Sequence, residues 1–140
     1  MKIELTTGQL PVRATEGDAG YDIHAAENGV IPIGAFKLVP CGFKMELDEG
    51  IEAQIRTRSG LALKNQVIVL NSPGTIDPGY RGEVKVILAN MGSKPFFFEK
   101  GDRIAQMVFA KFEAPTLVKG KIKDDTERGE GGFGSTGVKE

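Results

Sequence analysis

The stretch Asn71–Lys85, NSPGTIDPGYRGEVK, decides how the rest of the chain is read. Pro73-Gly74 and Pro78-Gly79 are turn signals. A strand-like run, Val67–Leu70, precedes them and another, Glu83–Ala89, follows, so the segment reads as a β-hairpin with a broad, glycine-rich mouth. Asp77 lies inside that mouth. Pro78 biases it toward extended backbone, which gives its carboxylate the defined aim a general base needs. Tyr80 adds a flat ring and a hydroxyl, while Gly74, Gly79 and Gly82 let a ligand come close to the backbone. A single Asp in a turn more often caps its own backbone, so its meaning depends on what surrounds it.

The composition sets the frame. A chain of 140 residues is one domain with room for a real core. A formal net charge of −1 gives no bulk steering toward nucleic acid. Charged residues at 26% argue against disorder over most of the length. With one cysteine, Cys41, and one histidine, His24, neither an internal disulfide nor a Cys/His zinc site can be assembled from a single chain. The start, MKIELTTG, has no basic or apolar leader region, and no apolar run is long enough to span a bilayer. The expectation is a soluble, cytoplasmic protein that engages neither nucleic acid nor membrane.

Working outward from the hairpin, apolar residues alternate rather than recur at helical spacing. Ile51, Ala53 and Ile55 face one way and Glu52, Gln54 and Arg56 the other, a half-buried strand. Val84, Val86 and Leu88 repeat the pattern, but Ile87 and Ala89 make the second face apolar too, so that strand is expected to be covered on both sides. Further short runs are Lys2–Leu5, Tyr21–Ala25, Val30–Ile33, Phe36–Val39, Gly42–Leu47 and Phe96–Phe98, parted by Gly, Pro, Asp or Asn. The expected fold is all-β, a jelly-roll-like sandwich or barrel with at most one short helix. That helix is Ser59–Asn65, with Ser59 as its N-cap. Asp102–Phe112 fits both periods and is read as a strand with Ile104, Gln106 and Val108 on one face. Composition shifts after Ala114, so residues 1–114 are expected to form the core and 115–140 a flexible arm.

Four other segments offer chemistry. Arg56-Thr-Arg58-Ser59-Gly60 ends a strand with cations, a hydroxyl and a glycine, suited to an anion, or equally to a solvated strand end. Asp18-Ala-Gly-Tyr-Asp22 holds two carboxylates, one of which would accept from water ligands of Mg²⁺. Lys100–Gln106 places Arg103 and Gln106 at a strand start, where a tight turn with a surface Arg–Asp pair is the plainer reading. In the tail, Gly129–Gly137 has five glycines around Phe133. It lacks the lysine of a Walker loop, yet its amides with Arg128, Ser135 and Thr136 would suit an anion nest, and Phe133 a flat ligand.

Taken together these segments resemble the trimeric-type dUTPase family. The matching strings are AGYD (Ala19–Asp22), RSGLALK (Arg58–Lys64), NSPGTIDPGYRGEV (Asn71–Val84), GDRIAQMVF (Gly101–Phe109) and RGEGGFGSTG (Arg128–Gly137), in order and over nearly the whole chain. Thr57 stands where many members carry proline. The resemblance implies hydrolysis of dUTP to dUMP and pyrophosphate, which limits uracil in DNA and supplies dUMP for dTMP synthesis. Asp77 would activate the attacking water, and Tyr80 would pack under the deoxyribose where a 2′-hydroxyl does not fit. Asn71 and the hairpin backbone, including Gly74, Ile76 and Lys85, would read uracil. Arg58, Ser59, Gly60 and Gln106 would hold phosphates, and Asp22 would bind Mg²⁺ through water. Phe133 would stack on uracil, with Arg128, Gly134, Ser135 and Thr136 closing on the γ-phosphate. The implied assembly is a homotrimer with sites shared between subunits.

Two other readings compete. The string IDPGY, Ile76–Tyr80, is also similar to the dCTP deaminases of the same superfamily, but those need a glutamate ten residues past the aspartate, where this chain has Ile87. A nucleotide-binding or regulatory module without turnover is the second, and the intact Asp77 and tail speak against it.

Overall fold

The computed structural model describes residues 1–137; the last three positions of the expected arm, 138–140, lie outside the described residues. In chain order the elements are β1 (Lys2–Leu5), β2 (Tyr21–His24), β3 (Gly29–Ile31), β4 (Phe36–Pro40), β5 (Phe43–Glu46) and β6 (Ile51–Arg56), then α1 (Ser59–Asn65). There follow β7 (Val67–Val69), β8 (Gly74–Ile76), β9 (Lys85–Asn90), β10 (Phe96–Phe98) and β11 (Arg103–Lys111). The fold is all-β, as the alternation predicts, and every short apolar run noted above carries a strand.

The strands form a four-stranded sheet ordered β2-β11-β6-β8, a three-stranded sheet ordered β4-β9-β7, and two ribbons, β1-β5 and β10-β3; the pairings are antiparallel. One core joins them. Ile23, Ala53, Ile55, Ala105 and Met107 of the larger sheet meet Val39, Val67, Val69, Val86 and Leu88 of the smaller, with Phe43, Ile31 and Phe98 from the ribbons. Each fully buried aliphatic or aromatic side chain here is worth about 1.5–3 kcal/mol against exposure. The alternation on β6 is realised, with Ala53 and Ile55 buried and Arg56 exposed.

Three expectations are corrected. The hairpin strands do pair, Val67 with Asn90 and Val69 with Leu88, but the mouth between them is not a simple turn. Within it β8 crosses to the other sheet, where Gly74 and Ile76 pair with Ile55 and Ala53 of β6. Gly74 is buried there, and a Cβ on it would stand 3.2 Å from Asn71 Nδ2 and 3.4 Å from Ile55 Cβ. Second, Ser59 is the first helical residue rather than the cap; Arg58 takes the cap position, extended at φ −82° and ψ 131°, and no side chain caps the helix. Third, β11 does not present Ile104 with Gln106 and Val108. A β-bulge between Arg103 and Ala105 breaks the alternation, so that Ile104, Ala105 and Met107 are all buried.

Candidate functional site

The register of the larger sheet builds the first half of the site. Asp22 of β2 lies opposite Gln106 of β11, and Gln106 opposite Arg56 of β6, so the three form one cross-strand row. Just beyond that row the chain leaves β6 through Thr57 and Arg58 into α1. Gln106 is fixed by donating its Nε2–H to the Thr57 carbonyl at 3.0 Å. Gly20 lies beside it, and a Cβ there would oblige the Gln106 amide to shift. The Asp22 carboxylate accepts from Arg58 Nε at 2.9 Å and from an Arg103 terminal nitrogen at 3.3 Å. His24 is buried behind them with Nδ1 unpartnered, and burial lowers its pKa from the ordinary value. Asp22, Arg58, Ser59, Gly60, Arg103 and Gln106 line a polar cleft of about 400 Å³. Asp18 lines it too, so two guanidiniums face two carboxylates, and the cleft offers both anion donors and acidic groups.

The second half is built by the Asn71–Lys85 segment. Tyr80 N–H donates to the Asp77 carbonyl at 3.0 Å, closing a turn over Pro78-Gly79. Arg81 clips that turn from outside, donating to the carbonyls of Pro78 at 2.7 Å and Tyr80 at 3.1 Å. The Tyr80 hydroxyl donates to the Glu83 carbonyl at 2.9 Å, which fixes the ring, and the Glu83 carboxylate in turn accepts the Gly42 N–H at 2.9 Å. Gly82 lies against the Tyr80 ring, where a Cβ would clash. The result is a second cleft, about 430 Å³, lined by Asn71, Ile76, Asp77, Tyr80 and Lys85, with Leu38 and Ile87 as its apolar wall. Asp77 itself is exposed to it.

The tail forms a third group. Successive turns run through Arg128–Gly137, with Gly131 N–H donating to Arg128, Ser135 N–H to Gly132 and Gly137 N–H to Gly134. Arg128, Phe133, Gly134, Ser135 and Thr136 line one concavity of about 530 Å³. Phe133 has φ +53° and its ring is fully exposed. A non-glycine residue held in the left-handed region carries backbone strain.

Apart from Gly74, which is buried behind Asn71 and lines no cleft, the nominated residues fall into three clusters that share no lining residue: Asp22 with Arg58, Ser59, Gly60 and Gln106; Asn71, Ile76, Asp77, Tyr80 and Lys85; and the tail. A single chain does not bring them into one cleft. The sequence reading passed over Leu38 and Glu83, and left Arg103 as a surface residue. Ile87 was noticed for what it lacks, a carboxylate, rather than as a wall.

Comparison with known proteins gives these clusters a context. The dUTPase family model matches residues 6–137. The chain is 52% identical to the deoxyuridine 5′-triphosphate nucleotidohydrolase of Rickettsia prowazekii (strain Madrid E) over 139 residues, covering 98% of this chain and 94% of that protein. The corresponding protein of Rickettsia typhi (strain ATCC VR-144 / Wilmington) is 50% identical with the same coverage. Among solved structures, the Staphylococcus bacteriophage 80alpha dUTPase G164S mutant with dUpNHpp superposes with a TM-score of 0.91 at 26% identity, over 98% of each chain. A family match over almost the whole length, close curated relatives and the jelly-roll likeness agree, and the chain belongs to the dUTPase family.

Proposed function

We propose that this chain hydrolyses dUTP to dUMP and pyrophosphate, with Asp77 activating the water that attacks the α-phosphorus. The observation that carries this reading is the division of chemistry between the clefts. One is polar, with two guanidiniums suited to phosphates beside two carboxylates; the other holds a carboxylate on a turn clamped by Tyr80 and Arg81, beside a flat ring and an apolar wall. Asn71, with Gly74 buried beneath it, offers the amide and close backbone that a uracil edge needs. A site that pairs each polar edge of one base rejects another base strongly, because mismatched groups stay unpaired. We assign to the Tyr80 ring, fixed by its bond to the Glu83 carbonyl, the exclusion of a ribose 2′-hydroxyl. The dUMP formed is the starting material for dTMP, and its release from dUTP keeps uracil out of DNA.

Mg²⁺ would be held mainly by groups other than protein side chains. Among the described residues no group of three His, Cys, Asp or Glu side chains is placed to hold a metal ion. The inner ligands would then be phosphate oxygens and water, with Asp22 accepting hydrogen bonds from that water, as suits an ion that keeps several waters. When bound, the ion neutralises charge on the pyrophosphate leaving group. Arg58, Ser59, Gly60 and Gln106 orient the triphosphate beside it.

The assembly proposed is a homotrimer with shared sites. The outer face of the smaller sheet is apolar, with Phe36, Leu38 and Leu70 exposed and Ile68 and Ile87 half-buried. It runs into the Asp77 cleft through Leu38 and Ile87. A second copy packed on this face covers it and brings its own clusters toward Asp77.

Turnover of dUTP against dCTP, dTTP and UTP with Mg²⁺, read as pyrophosphate and ammonia release, tests the reading. Pyrophosphate from dUTP alone supports it. Ammonia from dCTP would replace it with the deaminase, and binding without any product would leave a nucleotide-binding module.

A further inference from the structure

We propose that Asn28 is a modification site, where the folded protein closes its own backbone into a succinimide and sheds ammonia. Of Asn28, Asn65, Asn71 and Asn90, only Asn28 is followed by glycine. A glycine leaves its amide nitrogen uncrowded by a side chain. The pair lies at the entry to β3, remote from the three clefts, and Asn28 is exposed there.

Its neighbours make the pair more than a sequence motif. The Lys100 N–H donates to Asn28 Oδ1 at 2.8 Å, which draws electron density from Cγ and leaves Nδ2 as the outward, departing group. Among the described residues that is the one hydrogen bond the Asn28 side chain makes. Lys37 Nζ stands 3.0 Å from the point that a Cβ on Gly29 would occupy. An ammonium so placed favours loss of the Gly29 amide proton. Glu27 holds Lys37 from one side at 3.5 Å, and the Phe98 ring lies 5.8 Å from it on another. A Cβ at position 29 would also collide with the buried Phe98 ring, so the packing that positions Lys37 requires glycine after Asn28.

The step balances without any other reactant. The Gly29 nitrogen bonds to Asn28 Cγ, the Cγ–Nδ2 bond breaks, and the proton that Gly29 gives up leaves on the ammonia; nothing is oxidised or reduced. Water then opens the ring. Breaking the new Cγ–N bond leaves aspartate, which still offers Lys100 an acceptor. Breaking the original peptide bond leaves isoaspartate, with the main chain running through Cγ and one carbon longer. That extra carbon falls just ahead of Gly29–Ile31, which pair with Phe98, Phe97 and Phe96, and so it disturbs the seating of Ile31 and Phe98 in the core.

The test follows the reaction in the intact chain. Folded wild type, wild type in urea and folded Lys37→Met are incubated in H₂¹⁸O at mildly alkaline pH, then digested and mapped by mass spectrometry, with isoaspartyl methyltransferase reading the lengthened product. Thermal melts confirm that Lys37→Met is folded, and the two wild-type arms stand without it. Heavy oxygen should enter at Asn28 before any other asparagine, at least as fast in the folded chain as in urea. Lys37→Met should slow it about fivefold, the effect of one unit charge at about 4 Å in water. Slower entry in the folded chain than in urea, earlier reaction at another asparagine, or an unchanged rate in folded Lys37→Met would overturn the proposal.

Discussion

Asp77 owes its value to what holds it. Its turn is closed by the Tyr80 amide and clipped at two carbonyls by Arg81, and Tyr80 is anchored on Glu83. The carboxylate is thus presented rather than paired: among the described residues it joins no salt bridge. Asp77→Asn keeps the shape and removes the proposed base. It should abolish dUTP turnover while leaving analogue binding within about tenfold, roughly 1.4 kcal/mol. Residual activity above about a hundredth of wild type in a steady-state assay would mean another base is at work, since a general base contributes about 10²–10⁴-fold. Cys41 is the opposite kind of residue. Burial, and then the neighbouring Glu83 carboxylate, push its thiol up to about 12 from an ordinary 9.0. The unfolded chain therefore loses that proton first as pH rises. The thiol's contribution to stability is complete below about pH 9 and is lost between there and about 12. Urea midpoints should fall over that range in wild type and fall less in Cys41→Ala, and iodoacetamide at pH 8 should label the folded protein no faster than it unfolds.

At the scale of elements, the strands were legible because their apolar residues alternate, and the hairpin pairing because turn residues bracket it. β8 escaped notice because Gly74-Thr75-Ile76 looks like part of a turn; only its partner β6, distant in sequence, makes it a strand. The bulge at Ile104 was equally hidden, since a one-residue insertion leaves composition and spacing untouched while reversing which face Arg103 takes. Ser59 carries the chemistry of an N-cap but sits one position inside the helix, where Arg58 has already taken the extended conformation. The motif residues themselves were readable, whereas their separation into three clefts was not, because distance between strands is set by the sheet order. The tail is the element with least support: from Phe112 to Arg128 the side chains are exposed, with Leu117, Val118 and Ile122 presenting apolar surface to solvent. A segment so sparsely packed should be cut readily by protease at Arg128, and protected when dUpNHpp and Mg²⁺ are present. Equal cutting rates with and without ligand would count against closure. Phe133→Ala should weaken analogue binding by about 1–3 kcal/mol, the scale of one base–aromatic stack.

In the whole molecule the three clefts share no lining residue, and the proposed trimer is what would join them. The apolar outer face of β4-β9-β7 adjoins the Asp77 cleft and exposes Phe36, Leu38 and Leu70, each worth about 1.5–3 kcal/mol if a neighbour buries it fully. A closed three-fold ring covers such a face on every subunit alike. In the proposed trimer the Asp77 of one chain would meet the tail of another, which can be read from two variants expected to be inactive. Asp77→Asn keeps its tail; a truncation ending at Glu127 keeps its Asp77. Denatured together at equal concentration and refolded, they assemble at random. If base and tail came from the same chain, every site would carry one defect and nothing would return. If they come from different chains, about half the sites receive a sound Asp77 and about half of those a sound tail, so about a quarter of wild-type activity reappears. Mixed trimers confirmed by mass, yet no more active than the separate variants, would show that each chain closes its own site.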